Sequence, residues 1–215
     1  MKFLKPRKCP KKSTNKNLIQ FFSHKNQKHV FCESYLERDA YLTCEFLNPV
    51  QTYEVQELRV QFDVDGKAKV YTPDAKLNLR SDLYSKGMIV EVKRCNELVK
   101  PEVWRKLTRA RQEFTNAGYG FKILTDADIQ VQPRLNNLRL LYRYRNSLPE
   151  VETQHLIFDR VRGNDDVTIR ELMKLVRQRG EIFRSPFAMI AKGLVKVDIN
   201  KPITPNSYVA LGGAK

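Results

Sequence analysis

The stretch Tyr71-Thr-Pro-Asp-Ala75, followed by Met88-Ile-Val-Glu-Val-Lys93, limits what this chain can be more than any other part of it. Both segments read as β-strands with largely apolar neighbours, yet they carry Asp74, Glu91 and Lys93. Carboxylates and ammonium groups are almost never buried without a partner or a chemical task. Strand alternation places Val70, Thr72, Asp74, Lys76 and Asn78 on one face, with Tyr71, Pro73, Ala75, Leu77 and Leu79 opposite. The same alternation groups Ile89, Glu91 and Lys93. Neighbouring strands would therefore bring Asp74, Glu91 and Lys93 together. Two carboxylates and a backbone carbonyl suit Mg2+, or Mn2+ in its place, which takes oxygen ligands and keeps waters. Such an ion polarises a phosphate and activates water. The lysine would orient that water, neutralise charge on the phosphorane, or serve as a base if desolvated. The competing reading of Glu91 and Lys93 is a cross-strand ion pair on a solvated face.

Charge points to the same chemistry. The chain has 215 residues, 41% of them hydrophobic, and a formal net charge of +15. That is enough apolar material for one large domain or two small ones, and the charge calls for a polyanion, nucleic acid first. No apolar run approaches the ~20 residues of a membrane span. The four cysteines, Cys9, Cys32, Cys44 and Cys95, form no CxxC pair, and residues 1–12 contain no signal-peptide core. Reduced thiols in a cytoplasmic protein are expected. Cys9, His24, His29 and Cys32 could hold zinc, but their spacing matches no familiar finger.

Residues 1–30 contain nine lysines and arginines and no acid. They read as a basic arm whose second half, with Phe21 and Phe22, could pack on the body. A helix is expected from Ser34 to Leu47, where Ser34-x-x-Glu37 makes a capping box. Glu37 therefore has two readings: a capping residue, or a further ligand for the site. Strands are expected at 50–62 and 69–79 around Asp63-Val-Asp-Gly66, and at 88–94. A helix from Pro101 buries Val103, Trp104, Leu107, Ala110 and Phe114, and Gly118 closes it. A strand at 119–124 and a helix at 134–146 complete an α/β domain over residues 31–147. Lys76, Arg94, Arg105, Lys106 and Arg109 surround the proposed site as an electrostatic footprint for DNA.

Beyond the linker Leu148-Pro-Glu150, helices are expected at 153–161, 168–176 and 185–192, then strands at 194–199 and 207–211. Residues 148–215 thus form a winged-helix candidate whose third helix would enter the major groove. Arg177, Arg179, Arg184 and Lys192 would contact phosphates. Small three-helix units also bind protein, which is the competing reading.

Ser34-x-x-Glu37, Gln61, Thr72-Pro-Asp74 and Glu91-Val-Lys93 together resemble the TnsA-type transposon endonucleases over residues 30–130. The resemblance implies a restriction-endonuclease-like PD-(D/E)xK core followed by a small winged-helix-like domain. It implies Glu37, Asp74, Glu91 and Lys93 as catalytic residues, with Asp74, Glu91 and Glu37 holding metal. The implied activity is cleavage of the non-transferred strand at the 5′ ends of a transposon, on double-stranded DNA in a bacterial cytoplasm. The implied partners are a TnsB-type transposase and a TnsC-type AAA+ ATPase. The sequence departs from the family where some members carry glutamine at the position of Glu91, and where Gln61 lacks a following proline. Two alternatives stay open: another restriction-like or junction-resolving nuclease, and a non-catalytic winged-helix DNA-binding protein.

Overall fold

A computed structural model of the chain describes residues 1–6, 18–80, 84–178 and 184–212. The chain divides into two compact units, Met1–Gln130 and Val131–Lys215. The sequence reading put the change near residue 147, and the helix at 134–142 accounts for the difference. Its Asn137 donates to the carbonyls of Ile199 and Lys201 and accepts from the amide of Ile203, which ties that helix to the C-terminal unit.

The first unit is mixed α/β. Its central sheet has strand order β4-β7-β8-β9, with β4 Val50–Val55, β7 Ala75–Leu79, β8 Met88–Lys93 and β9 Gly120–Thr125. β4, β7 and β8 run antiparallel, whereas β8 and β9 are parallel. A parallel pair needs a long crossover. Helices α2 Cys95–Leu98 and α3 Pro101–Asn116 supply it. A second sheet joins β1 Lys2–Phe3, β5 Val60–Val64 and β6 Lys67–Tyr71 in the order β1-β5-β6. A hairpin of β2 Ile19–Ser23 and β3 Lys28–Cys32 precedes helix α1 Tyr35–Phe46. Residues 18–32 are therefore built into the body, as the aromatic residues of the basic segment allow. Residues 7–17, the middle of the expected arm, lie outside the described residues.

The two faces of the central sheet bury different helices. On one, Ala75, Leu77, Val90 and Val92 pack with Leu36, Ala40, Tyr41 and Cys44 of α1. On the other, Ile89 joins Val60, Phe62 and Tyr71 against Leu107, Ala110 and Phe114 of α3. β8 is apolar on both faces and lies between two neighbours, as its Ile-Val-x-Val content predicts for a central strand. Pro101 begins α3 at a position where a missing N–H costs nothing. Gly118, at φ +87°, ends it. The amides of Gly118 and Tyr119 there donate to Thr115 and Phe114, which satisfies two terminal carbonyls.

Two strands expected to be continuous are broken. Pro73 has no N–H for a ladder, and the chain between β6 and β7 passes from one sheet to the other. A second break follows β4, where Gln56 adopts a left-handed φ of +52°. Alternation across Pro73 consequently fails: Tyr71, expected opposite Asp74, lies on the side of Ile89. The β5–β6 hairpin itself closes on Asp65 and Gly66, both with positive φ (+53° and +74°), as a two-residue Asp-Gly turn requires. Trp104 is a further correction. It is 52% exposed and lines an open groove between α3 and the hairpin tip, with Asp63, Asp65, Arg105 and Arg109. The short helix α4 Asp126–Ile129, capped by Thr125 and Asp128, was not anticipated.

The second unit contains α5 Arg134–Tyr142, α6 Val151–Val161, α7 Ile169–Arg177, α8 Ser185–Ala191 and the antiparallel pair β10 Val195–Val197 and β11 Val209–Leu211. α5 ends four residues before the sequence reading placed its end. Thr168, the N-cap of α7, makes a single bridge to Tyr208 beside β11. Six of the seven residues of α8 are buried. The expectation that this third helix lies in a major groove is therefore not met, because its Ser-Pro-Phe-Ala-Met-Ile-Ala sequence packs inward.

Phe114 is fully buried among Tyr71, Tyr119 and Phe121. Phe114→Ala is expected to destabilise the first unit by about 3–5 kcal/mol. Urea unfolding followed by the fluorescence of Trp104, the single tryptophan, checks this.

Candidate active site

Asp74 sits at the crossing between the two sheets, immediately before β7, and its backbone is pinned there. Its carbonyl accepts from the Tyr41 hydroxyl at 2.8 Å and from the Gln56 amide at 3.1 Å. Its carboxylate Oδ2 accepts from the backbone N–H of Val92 at 2.7 Å. That bond carries the side chain across the edge of β8, between Glu91 and Lys93. Lys93 Nζ lies 2.9 Å from Glu91 Oε1 and 3.8 Å from Asp74 Oδ2. It also donates to the Val92 carbonyl at 3.0 Å. Glu91 is 3% exposed, and its Oε2 accepts from the Tyr71 hydroxyl at 2.5 Å. The structure thus brings together Asp74, Glu91 and Lys93, and adds Tyr71.

Glu37 stands at the start of α1. Ser34 caps the helix, its Oγ accepting from the Glu37 amide at 3.1 Å. Glu37 returns not to the Ser34 amide but to that of Glu33, which donates to Oε2 at 2.9 Å, while the Ser34 hydroxyl donates to Oε1 at 2.9 Å. The Gln56 amide approaches Oε2 at 3.5 Å. Glu37 therefore caps its helix and also feels the site electrostatically, through both Lys93 and Asp74. Among the described residues, no three His, Cys, Asp or Glu side chains are gathered closely enough to cage an ion. Asp74 and Glu91 form the close pair, and Glu37 stands outside it.

Electrostatics express this crowding. Burial and the neighbouring Glu91 charge push the Asp74 carboxyl up to about 8, against the pull of Lys93 and the Val92 amide. Burial raises Glu37 as well, partly offset by the Glu33 amide and the Ser34 hydroxyl. Burial works against the charge of Lys93, but Asp74 and Glu91 more than compensate, so its ammonium is held above the ordinary lysine range. Burial and Glu91 keep the Tyr71 hydroxyl protonated and donating. The all-oxygen donor set, with surplus negative charge next to one lysine, has the chemistry of a hard divalent cation site. On donor chemistry the residues fit Mg2+ or Mn2+.

The expected DNA-contacting residues separate into groups. Arg94 and Arg105 are exposed and make no ion pair among the described residues. Lys106 is exposed, with Nζ 5.2 Å from the centre of the Tyr71 ring. Lys76 instead pairs with Glu54 at 3.0 Å. Arg109 pairs with Glu113 at 2.7 Å and donates to the Asp63 carbonyl. In the second unit, Arg177 and Arg184 are exposed, Lys192 is half-buried, and Arg179 lies outside the described residues. Of the residues considered for zinc, Cys9 is also outside them, and His24 and His29 pack edge-on against Phe22. Gln61 lies in β5 opposite Lys2, and the glutamine beside the site is Gln56. Pro73 was the available signal for Tyr71, since a strand break resets alternation. Gln56 carried no comparable signal.

A mixed sheet with an acid at the entry to one central strand and an acid and a lysine on the next, flanked by helices on both faces, is the build of a restriction-endonuclease-like nuclease. Residues 48–126 match the family model described as the TnsA-like endonuclease N-terminal domain. Over these residues the chain is similar to the TnsA-type endonucleases, which supports a DNA endonuclease of Tn7-like transposition. The match spans β4 to β9 and so includes Asp74, Glu91 and Lys93, while Glu37 and the second unit lie outside it. No curated protein matches the chain. No helix among the described residues is long and apolar enough to cross a membrane.

Because the Asp74 pKa in the fold lies above its unfolded value near 4, its contribution favours folding at low pH and is lost as pH rises toward about 8. Asp74→Asn keeps an acceptor for the Val92 amide but removes the charge. The variant is expected to gain thermal stability over the parent at pH 8 that it does not gain at pH 4. Melting temperatures of the metal-free proteins across that range check this, and an equal offset at every pH would contradict it.

Proposed function

We propose that the chain is a metal-dependent DNA endonuclease that cuts the non-transferred strand at the 5′ ends of a transposon, beside a TnsB-type transposase. The observation that carries this reading is the meeting of Asp74, Glu91 and Lys93 at the edge of β8. Asp74 and Glu91 would hold Mg2+ or Mn2+, with Glu37 reaching it through water. When bound, the ion polarises the scissile phosphate and lowers the pKa of an attacking water. The remaining work falls to the protein. The Val92 amide and the Tyr71 hydroxyl fix one oxygen each of Asp74 and Glu91, which would present the two carboxylates to an ion in a set orientation. Lys93 keeps its proton near its two acids, which suits neutralising charge on the phosphorane and not proton abstraction.

The likeness to the TnsA-type endonucleases supports a proposal for the partners. A TnsB-type transposase would make the 3′ cuts and join the strands, and a TnsC-type AAA+ ATPase would couple the complex to a target. The order α6, the Thr168 bridge, α7, α8 and the β10–β11 pair supports a winged-helix-like reading of the second unit. With α8 buried, its DNA contacts would come from exposed arginines such as Arg177 and Arg184.

Lys93→Ala and Asp74→Ala are each expected to slow 5′-strand cleavage of transposon-end DNA at least ~100-fold, the scale for removing one preorganised transition-state contact. Strand-resolved gels in Mg2+ or Mn2+, with and without the transposase, measure this. Variants that cut as fast as the parent would overturn the assignment. Efficient cutting of unrelated duplexes by the lone protein would point to a different nuclease of the same fold.

A further inference from the structure

We propose that the β5–β6 hairpin is a phosphate track that leads the backbone of duplex DNA to the active site, with Lys67 and Lys69 as its contacts and Lys106 linking it to the site. This rests on the nuclease reading above and names the surface by which that site takes its substrate. The argument begins with register. Phe62 pairs with Lys69, and Val64 with Lys67, across the hairpin. Phe62 and Tyr71 are buried against α3, and Val64 packs on the same cluster. Cross-strand partners share a face, as do residues two apart on a strand. Lys67 and Lys69 therefore lie on the face of Tyr71. Both are exposed, and neither has an ion-pair or hydrogen-bond partner among the described residues.

The row continues into the site. Tyr71 follows Lys69 by two residues, its ring sits beneath Lys106 Nζ at 5.2 Å, and its hydroxyl reaches Glu91. Lys67 and Lys69 thus share a hairpin face with Tyr71, which in turn meets Lys106 and, through Glu91, Lys93. Residues two apart on a strand are separated by about 6.7 Å, and one DNA strand presents a phosphate per ~3.4 Å of axis, so adjacent lysines of the row can meet nearby phosphates. The acids Asp63 and Asp65 stand at the hairpin tip, where Asp63 accepts from the Gly66 amide. They bound the track at its outer end, so it starts at Lys67. β6 is also an edge strand. Charge on such an edge discourages pairing with another sheet. Lysines kept only for that purpose would add nothing to DNA affinity or its salt dependence, which the experiment separates.

The test compares the parent with Lys67→Gln/Lys69→Gln, Lys67→Arg/Lys69→Arg and Lys122→Gln. Lys122 is exposed on β9 opposite Val90, so it lies on the α1 face of the sheet and serves as the control. Affinity for a transposon-end duplex is measured without metal over a range of salt, and 5′-strand cleavage is measured with Mg2+. The glutamine pair is expected to bind about 10-fold more weakly, with the slope of log affinity against log salt reduced by about 1.8, two phosphate contacts at 0.9 each. The arginine pair and Lys122→Gln are expected to match the parent, and all four proteins to melt alike. An unchanged affinity and salt slope in the glutamine pair would overturn the track while leaving the nuclease reading intact if the parent cuts. A parent that binds through these lysines but never cuts, even with the transposase present, would uphold the track and defeat the nuclease reading. A parent that does not bind the duplex would defeat both.

Discussion

The bond from the Val92 amide to Asp74 Oδ2 is the contact on which the site depends. It draws a carboxylate from the loop between two sheets onto the edge of the central strand. There Asp74 stands beside Glu91, and the two share one lysine. A lone buried carboxylate beside another is costly, and ordinary folding would select against it. Lys93 and the Val92 amide relieve that cost only in part. The surrounding residues fix it in place, through Tyr41 and Gln56 on the Asp74 backbone and Tyr71 on Glu91. Strain of this electrostatic kind, held rigidly, is what a cation-dependent phosphodiesterase needs before its ion and substrate arrive.

The architecture explains why the pieces meet. Pro73 breaks the ladder at the point where the chain changes sheets, and this leaves Asp74 outside a strand but next to one. The crossover through α2 and α3 makes β9 parallel to β8 and buries the Tyr71 side of the sheet. α1 closes the other side and brings Glu37 to the rim while using it as a cap. Each helix therefore serves the core first and the site second. Glu37 illustrates the overlap, since its hydrogen bonds satisfy the helix end and its charge reaches Asp74 and Lys93.

Much of this was legible in the residues. The Glu91-Val-Lys93 triplet on a central strand, the Ser34 cap, the Pro101 start and the Gly118 stop all come from local rules that tertiary structure had no cause to override. The misreadings of the strands share one origin, which is that period-2 alternation was carried across breaks. Residues 50–62 and 69–79 looked continuous, but Gln56 and Pro73 divide each between two sheets, and Tyr71 changed sides as a result. Trp104 was assigned to the core by helical spacing, yet α3 turns it toward the hairpin groove. For α8 the apolar composition was the better guide: a helix with no charged residue between Ser185 and Ala191 belongs inside. The role of Gln56 depends on a left-handed backbone that no pattern of neighbours announces.

The central claim is that Asp74 and Glu91 form a cation site served by Lys93. The most direct measurement is Mn2+ binding to the full chain, followed by electron paramagnetic resonance, in the parent and in Asp74→Asn/Glu91→Gln. The account predicts saturable binding in the parent that the double variant loses while remaining folded. Equal binding by both proteins would contradict it.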